Sequence, residues 1–358
     1  MFSCLEEDWQ THALPCVCCS CILIAAAQVI FFSCEMEYPI IYEVERIYFP
    51  ILAIIAIPVN IVAIVILARG KCGLSECITC YLLAMAAADL AVTMTDVVMH
   101  RLNHMYFPVS FLLLTPVCSL RHALYNVSID CSVWFTVAFT FDRCAAICYS
   151  NFKQKYCRRR TVTVILSVIF VGSCLRSIPI FFLYQPVIVI DNIPWYCTGR
   201  PNYATSIFWK AYECIESIVN PLLPICMILV FNALTIRHII ATSKVRKALR
   251  STSKNHNDPE MENRRNSMIL LFALSANFIL LWMTTVVHSM TWQLVNCQYQ
   301  SKYFDGPVYI VQQVGVMLQL LSSSTNTCIY GITQKKFRAE LKHGLKFVFT
   351  LNGKCFMN

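Results

Sequence analysis

The chain has 358 residues, 57% of them hydrophobic and only 14% charged, with a formal net charge of +9. A soluble domain is about 45–50% apolar and about 25% charged. The chain therefore reads as a polytopic membrane protein whose spans consume most of its length, leaving no room for a separate soluble domain of ordinary size. The positive balance does not point to nucleic acid, because the basic residues sort by topology.

Residues 1–46 form an N-terminal region that the topology places outside the cell. Within it, 13–32 is apolar enough for a signal-peptide core or an extra span, but Glu6, Glu7 and Asp8 stand where a cleaved signal carries positive charge. A poorly conforming signal or a gene-model extension is the favoured reading. Cys16, Cys18, Cys19 and Cys21 have CxC and CC spacings rather than two separated ligand pairs, which argues against zinc.

Apolar runs of about 20 residues then predict seven spans, near Ile47–Ala68, Cys77–Met99, Pro116–Cys148, Thr161–Leu183, Ile207–Ile240, Asn266–Trp292 and Pro307–Ile332. Together they make a membrane domain over 47–332, followed by an amphipathic helix and tail over 333–358. Of the 29 basic residues, only Arg46, Arg101, Arg121, Arg176, Arg200, Lys210 and Lys302 fall outside the cell or within spans away from their cytoplasmic ends when the N-terminus is extracellular, Arg143 and Arg237 lying at cytoplasmic helix ends. The rest are cytoplasmic, as the positive-inside rule requires. The stretch 242–266 reads as a polar, mobile connection.

Two carboxylates in this apolar chain need partners. Asp89 falls in the middle of the second span, and Asp142 with Arg143 closes the third. Ionisable groups at membrane depth are costly and are usually functional. Cys118 lies 25 positions before Arg143, which at about 1.5 Å per residue puts the two at opposite membrane faces. Cys118 and Cys197 both face outward, so a disulfide between them would pin the loop after the fourth span, although Cys297 is a third outward thiol and leaves the pairing open.

Asn60, the run Leu83 to Leu90, Asp142-Arg143, Phe278 with Trp282, Asn326 with Tyr330, and Phe337 in register carry a family resemblance. The chain resembles a rhodopsin-like G-protein-coupled receptor from about Ile47 to Phe347, which implies an all-α bundle of seven transmembrane helices with a short amphipathic eighth. Tyr106 to Ser110 and Asp130 to Val137 resemble the narrower subgroup of G-protein coupled receptors 139 and 142, which respond to tryptophan and phenylalanine.

The resemblance implies roles. Asp89, Ser132, Ser323, Asn326 and Tyr330 would form an activation network, with sodium held at Asp89, and no other cofactor is expected. Phe278 and Trp282, four apart on one helix face, would form the toggle at the pocket floor. Arg143, restrained by Asp142, would contact a heterotrimeric G protein, with Gq/11 as one class. Cys144, Thr284 and Thr327 depart from the family pattern, replacing a tyrosine and two prolines, and the lost prolines should straighten the sixth and seventh helices.

Within the resemblance, the absence of lysine from Pro307–Ile332 excludes a retinal Schiff base, and Tyr125 stands where amine receptors carry aspartate. Arg121, one turn above Tyr125, could pair with a ligand carboxylate. Trp195, Trp209, Glu213, His288, Gln312 and Gln313 are further candidates for contact with a small aromatic or peptide ligand. No catalytic motif is present, so an enzyme is not expected. A transporter or channel is the alternative, but it needs a polar through-path, and the polar residues gather at Asp89 and the mouth.

Overall fold

The computed structural model describes residues 40–70, 72–107, 109–149, 158–203, 205–249, 259–295 and 307–343. The stretch 13–32, the early cysteines, Cys297 and Phe347 lie outside these residues.

Seven long helices are present among the described residues. Helix α1 spans Ile40–Ala68. Helix α2 starts at Glu76, with Ser75 as its N-cap, the Oγ accepting from the Ile78 amide at 3.4 Å. It widens to a π-helix over Thr93–Leu102 and ends at Tyr106. Helix α3 is Thr115–Cys148 and α4 is Arg159–Phe181. Helix α5 comprises Ile207–Ser217, a π-turn at Ile218–Leu222 and Leu223–Leu249, while α6 is Pro259–Val295 and α7 is Pro307–Thr333. Residues 335–343 form the short helix α8.

Several helices outrun the predicted spans. Helix α1 begins at Ile40 rather than Ile47, and α5 and α6 take residues 242–249 and 259–266 out of the expected polar connection. The physical reason is that charge marks the edge of hydrocarbon, whereas a helix continues wherever its backbone bonds can. Lys, Arg and Ala at 244–249 are good helix formers, and Pro259 suits the first helical position.

Six of these helices are long and apolar enough to cross a membrane. The seventh, α7, carries a dense buried polar set: Gln319, Ser322, Ser323, Ser324, Asn326 and Thr327. The outward surface is apolar, with Ile54 74% and Leu280 71% exposed, as expected where lipid rather than water covers it. Both α6 and α7 are uninterrupted, in keeping with the loss of the family's prolines at Thr284 and Thr327.

Two apolar clusters fill the interior. One gathers Leu67, Tyr81, Met85, Phe139, Leu271, Tyr330 and Phe337 toward the Arg143 end. The other gathers Phe49, Val92, Val133, Ile228, Phe278, Trp282 and Leu320 toward the Cys118 end. Asp89 sits on α2 between Ala88 of the first and Val92 of the second. Phe337 anchors α8, its ring 6.2 Å from that of Tyr330.

The connection from α4 to α5 is the β-structured part. Strand β1 (Tyr184–Gln185) pairs antiparallel with β4 (Thr198–Gly199), and β2 (Ile188–Ile190) pairs with β3 (Ile193–Trp195). Asp191 and Asn192, both at positive φ, make the two-residue turn of the inner hairpin, as a tight hairpin requires.

Candidate functional site

At the centre of the bundle, Asp89 is fully buried and receives two donors: Ser132 Oγ at 2.5 Å and Asn326 Nδ2 at 2.9 Å. Asn60 Nδ2 donates to the Ser323 carbonyl at 2.8 Å and to the Ala56 carbonyl at 3.0 Å, and its Oδ1 accepts from Thr327 Oγ1 at 3.2 Å. Asn277 Nδ2 joins from α6, donating to Thr325 Oγ1 at 2.9 Å and Asn326 Oδ1 at 3.4 Å. The result is one polar belt through α1, α2, α3, α6 and α7. Thr327 does in it what proline could not, because proline has no hydroxyl to offer.

Not every expected member takes the expected part. Ser323 reaches the belt through its backbone carbonyl, and the Tyr330 hydroxyl is buried without a hydrogen-bond partner among the described residues. Both carboxylate oxygens of Asp89 are occupied by donors. Hydroxyl and amide oxygens can turn toward a hard cation, so the donor set suits sodium chemically.

One turn nearer the mouth, Trp282 Nε1 donates to Ser322 Oγ at 3.1 Å, and Ser322 Oγ donates to the Gln319 carbonyl at 2.7 Å. Gln319 Nε2 reaches the Tyr125 hydroxyl at 3.4 Å. Phe278 packs on Trp282 with ring centroids 5.1 Å apart. Indole, serine and glutamine thus link the floor of the mouth to α3. Ser322→Ala removes both bonds of this hydroxyl and leaves the buried Trp282 Nε1 without its acceptor, which should cost about 1–3 kcal/mol, read as a lower melting temperature of purified protein beside Ser324→Ala as control.

The Cys118 end is closed on one side by the loop. Cys118 and Cys197 are joined in a disulfide, their Cα atoms 6.2 Å apart. The Tyr196 amide donates to the Leu113 carbonyl, and Thr115 Oγ1 donates to the Tyr196 carbonyl at 2.6 Å. His122 stacks on Tyr184 at 4.3 Å and meets His100 edge to face at 5.4 Å. Burial pushes the Tyr184 phenol above its ordinary range. Cys118, His122 and Cys197 converge closely, but both sulfurs are spent in the disulfide, so the trio is not a metal site.

The candidate ligand contacts fall in several different settings. Arg121 is buried, 5% exposed, and turned against Cys118 Sγ at 3.5 Å and His122 Nε2 at 2.8 Å. Its guanidinium thus lies beside the disulfide that pins the loop. Trp209 is buried in an aromatic group with Tyr203, Phe208 and Tyr212. Trp195 is a hairpin residue bridged to Leu114. Glu213 is half-buried and hydrogen-bonded with Tyr203, His288 is half-buried, and Gln312 is exposed on α7. Tyr125 alone of the set lies in the polar chain over the floor.

Two charged groups were missed by sequence reasoning. In the π segment of α2, buried Asp96 accepts from Arg101 Nε at 3.0 Å and pairs with His100 Nδ1 at 3.0 Å. Arg101 also reaches Glu45 at 3.6 Å and Gln313 at 3.4 Å, and lies 4.6 Å over the Phe49 ring. The signal was available: an aspartate near the end of a predicted span, with histidine four positions on and arginine next to it just past that end. The second group is Asp130, Arg176 and Glu216, joining α3, α4 and α5. At the far end, Arg143 pairs with Asp142, as the resemblance implies.

The family model of the 7 transmembrane receptor (rhodopsin family) matches residues 59–330. The chain belongs to that family. Its members are receptors rather than enzymes, and the transporter or channel alternative is set aside. The chain is similar to atypical chemokine receptor 3 of Canis lupus familiaris, 23% identical over 287 residues covering 76% of this chain and 70% of that protein. It is also similar to the Rattus norvegicus protein of that name, 22% identical over 349 residues covering 94% and 87%, and to the Homo sapiens one, 20% identical over 284 residues covering 76% and 70%. These relatives are not members of the 139 and 142 subgroup that residues 106–110 and 130–137 resemble.

Proposed function

We propose that this rhodopsin-family receptor sits in the plasma membrane with its N-terminus and Cys118 end outside, and that it binds an extracellular peptide or small protein of chemokine type. The observation that carries this reading is the charged mouth. Glu45 and Arg101 with Asp96 and Gln313 bring charge from α1, α2 and α7 together, and His100 of the same group meets His122, which stacks on Tyr184 of the pinned loop. A peptide offers many main-chain polar groups and charges to the loop and to this largely buried charge group below the mouth, whereas a small aromatic acid needs an available cation. Arg121 is occupied and Arg101 is already paired with two carboxylates. The names of the relatives point the same way. An aromatic amino acid is the second reading, favoured by the resemblance at Tyr106 to Ser110 and Asp130 to Val137 alone.

The signal would pass through Trp282 and the Asp89 belt to Arg143, where a heterotrimeric G protein docks, with Gq/11 the first class to test. Sodium at Asp89 would favour the resting state, since a ligand shifts an equilibrium only by its differential affinity. Cells expressing the full chain with G-protein activation sensors test the proposal directly. A panel of chemokines should give a concentration-dependent signal absent from untransfected cells and reduced by added sodium in wild type but not in Asp89→Asn. A response to tryptophan or phenylalanine with none to chemokines would overturn the ligand assignment.

A further inference from the structure

The triad Asp130, Arg176 and Glu216 has no place in the signal path described above, yet it puts three charges at membrane depth. Asp130 is 1% exposed, and Arg176 and Glu216 keep only 20% and 22% of their side chains exposed. Arg176 projects from α4 between two carboxylates: one nitrogen pairs with Asp130 of α3, the other with Glu216 of α5 at 3.1 Å. A charge group inside a membrane protein is expensive to keep, and its retention calls for a role.

Its position supplies the role. Helix α5 is interrupted at Ile218–Leu222, where Asn220 leaves helical geometry at φ −149° and ψ 106°. Glu216 lies just before the break, on the segment that leads to the hairpin and the mouth. Asn220 lies in the break and donates through Nδ2 to Asp130 Oδ1 at 2.8 Å. Beyond it, Leu223–Leu249 runs to the Arg143 end. Arg176 also accepts the Tyr212 hydroxyl on its carbonyl at 3.1 Å, tying the mouth segment to α4 a second time.

We infer that Asp130, Arg176 and Glu216 form a three-helix ionic joint that sets the position of the α5 break and so couples movement at the mouth to the half of α5 that reaches the Arg143 end. The joint has two arrangements within reach. Asp130 is served by two donors, Arg176 and Asn220, so it keeps a partner if Arg176 swings wholly to Glu216. Glu216 Oε1 is buried with no hydrogen-bond partner among the described residues and can take the second guanidinium nitrogen. Two discrete pairings of one packed interface are what a transmitting element requires.

The test uses hydrogen exchange with mass spectrometry on the full chain in lipid nanodiscs, comparing wild type, Glu216→Gln, Arg176→Gln and the charge swap Asp130→Arg with Arg176→Asp. In Glu216→Gln, exchange over 214–249 should speed up by roughly tenfold or more while α2 and α7 stay at wild-type rates, because local opening reports local stability. Arg176→Gln should act similarly but more strongly, and the swap should restore at least part of the protection. Should Arg176→Gln not fold, Glu216→Gln removes one arm only and still decides the matter. Unchanged exchange over 214–249 in folded Glu216→Gln, or acceleration spread evenly over all helices, would overturn the joint and leave the triad as general packing.

Discussion

Substituting Cys118 or Cys197 with serine should abolish surface expression or leave a receptor that no longer responds to ligand. The bridge closes a sequence separation of 79 residues, for which the chain-entropy treatment gives about 4.5 kcal/mol. That figure is an upper bound, because helices held in a membrane leave the reduced chain far less freedom than a random coil. The loop would then be held by Tyr196 on Leu113, Thr115 on Tyr196 and His122 on Tyr184. Surface staining of intact cells for Cys118→Ser, Cys197→Ser and the double variant checks this. The double should be no worse than either single, since all three lose the same bond.

Asp89→Ala should be the second large effect. The carboxylate is fully buried, and its loss strands the Ser132 hydroxyl and the Asn326 amide in a dry belt. Each orphaned donor costs about 1–3 kcal/mol, so a loss of roughly 2–6 kcal/mol is expected, against a small one for Asp89→Asn, which still offers an oxygen to one donor. Thermal unfolding of purified receptor separates the two substitutions. Thr327→Pro should also destabilise this belt: it removes the donor to Asn60 Oδ1 and puts a proline inside an uninterrupted helix.

The fold was legible in the sequence because a span announces itself by length and apolarity alone, and because the Asp89, Arg143, Trp282 and Asn326 positions recur in register. The disulfide was legible up to the ambiguity of Cys297. Hydropathy did not locate the ends of the helices, since α1, α5 and α6 continue where charge begins. The ligand contacts were the least legible. Which way Arg121 turns depends on the loop packed above it, and Trp209 looks like a pocket residue until Tyr203 and Tyr212 are seen around it. Arg101 and Arg176 counted only as charges for topology, although each is the centre of a buried ionic group. Asp96, in the same span as Asp89, was not marked by hydropathy, because its partners His100 and Arg101 come after the apolar run, in the π segment that hydropathy does not reveal.

The class of ligand is the central claim, and direct binding tests it without assuming any signalling partner. Purified receptor in nanodiscs is heated with a panel of chemokines, or with tryptophan and phenylalanine, as wild type and as Asp96→Asn. A bound ligand raises the melting temperature in proportion to its occupancy of the folded state. At least one chemokine should stabilise wild type and lose most of that effect in Asp96→Asn, with the aromatic amino acids inert. Stabilisation by tryptophan or phenylalanine, unaccompanied by any from chemokines and unchanged in Asp96→Asn, would contradict the account.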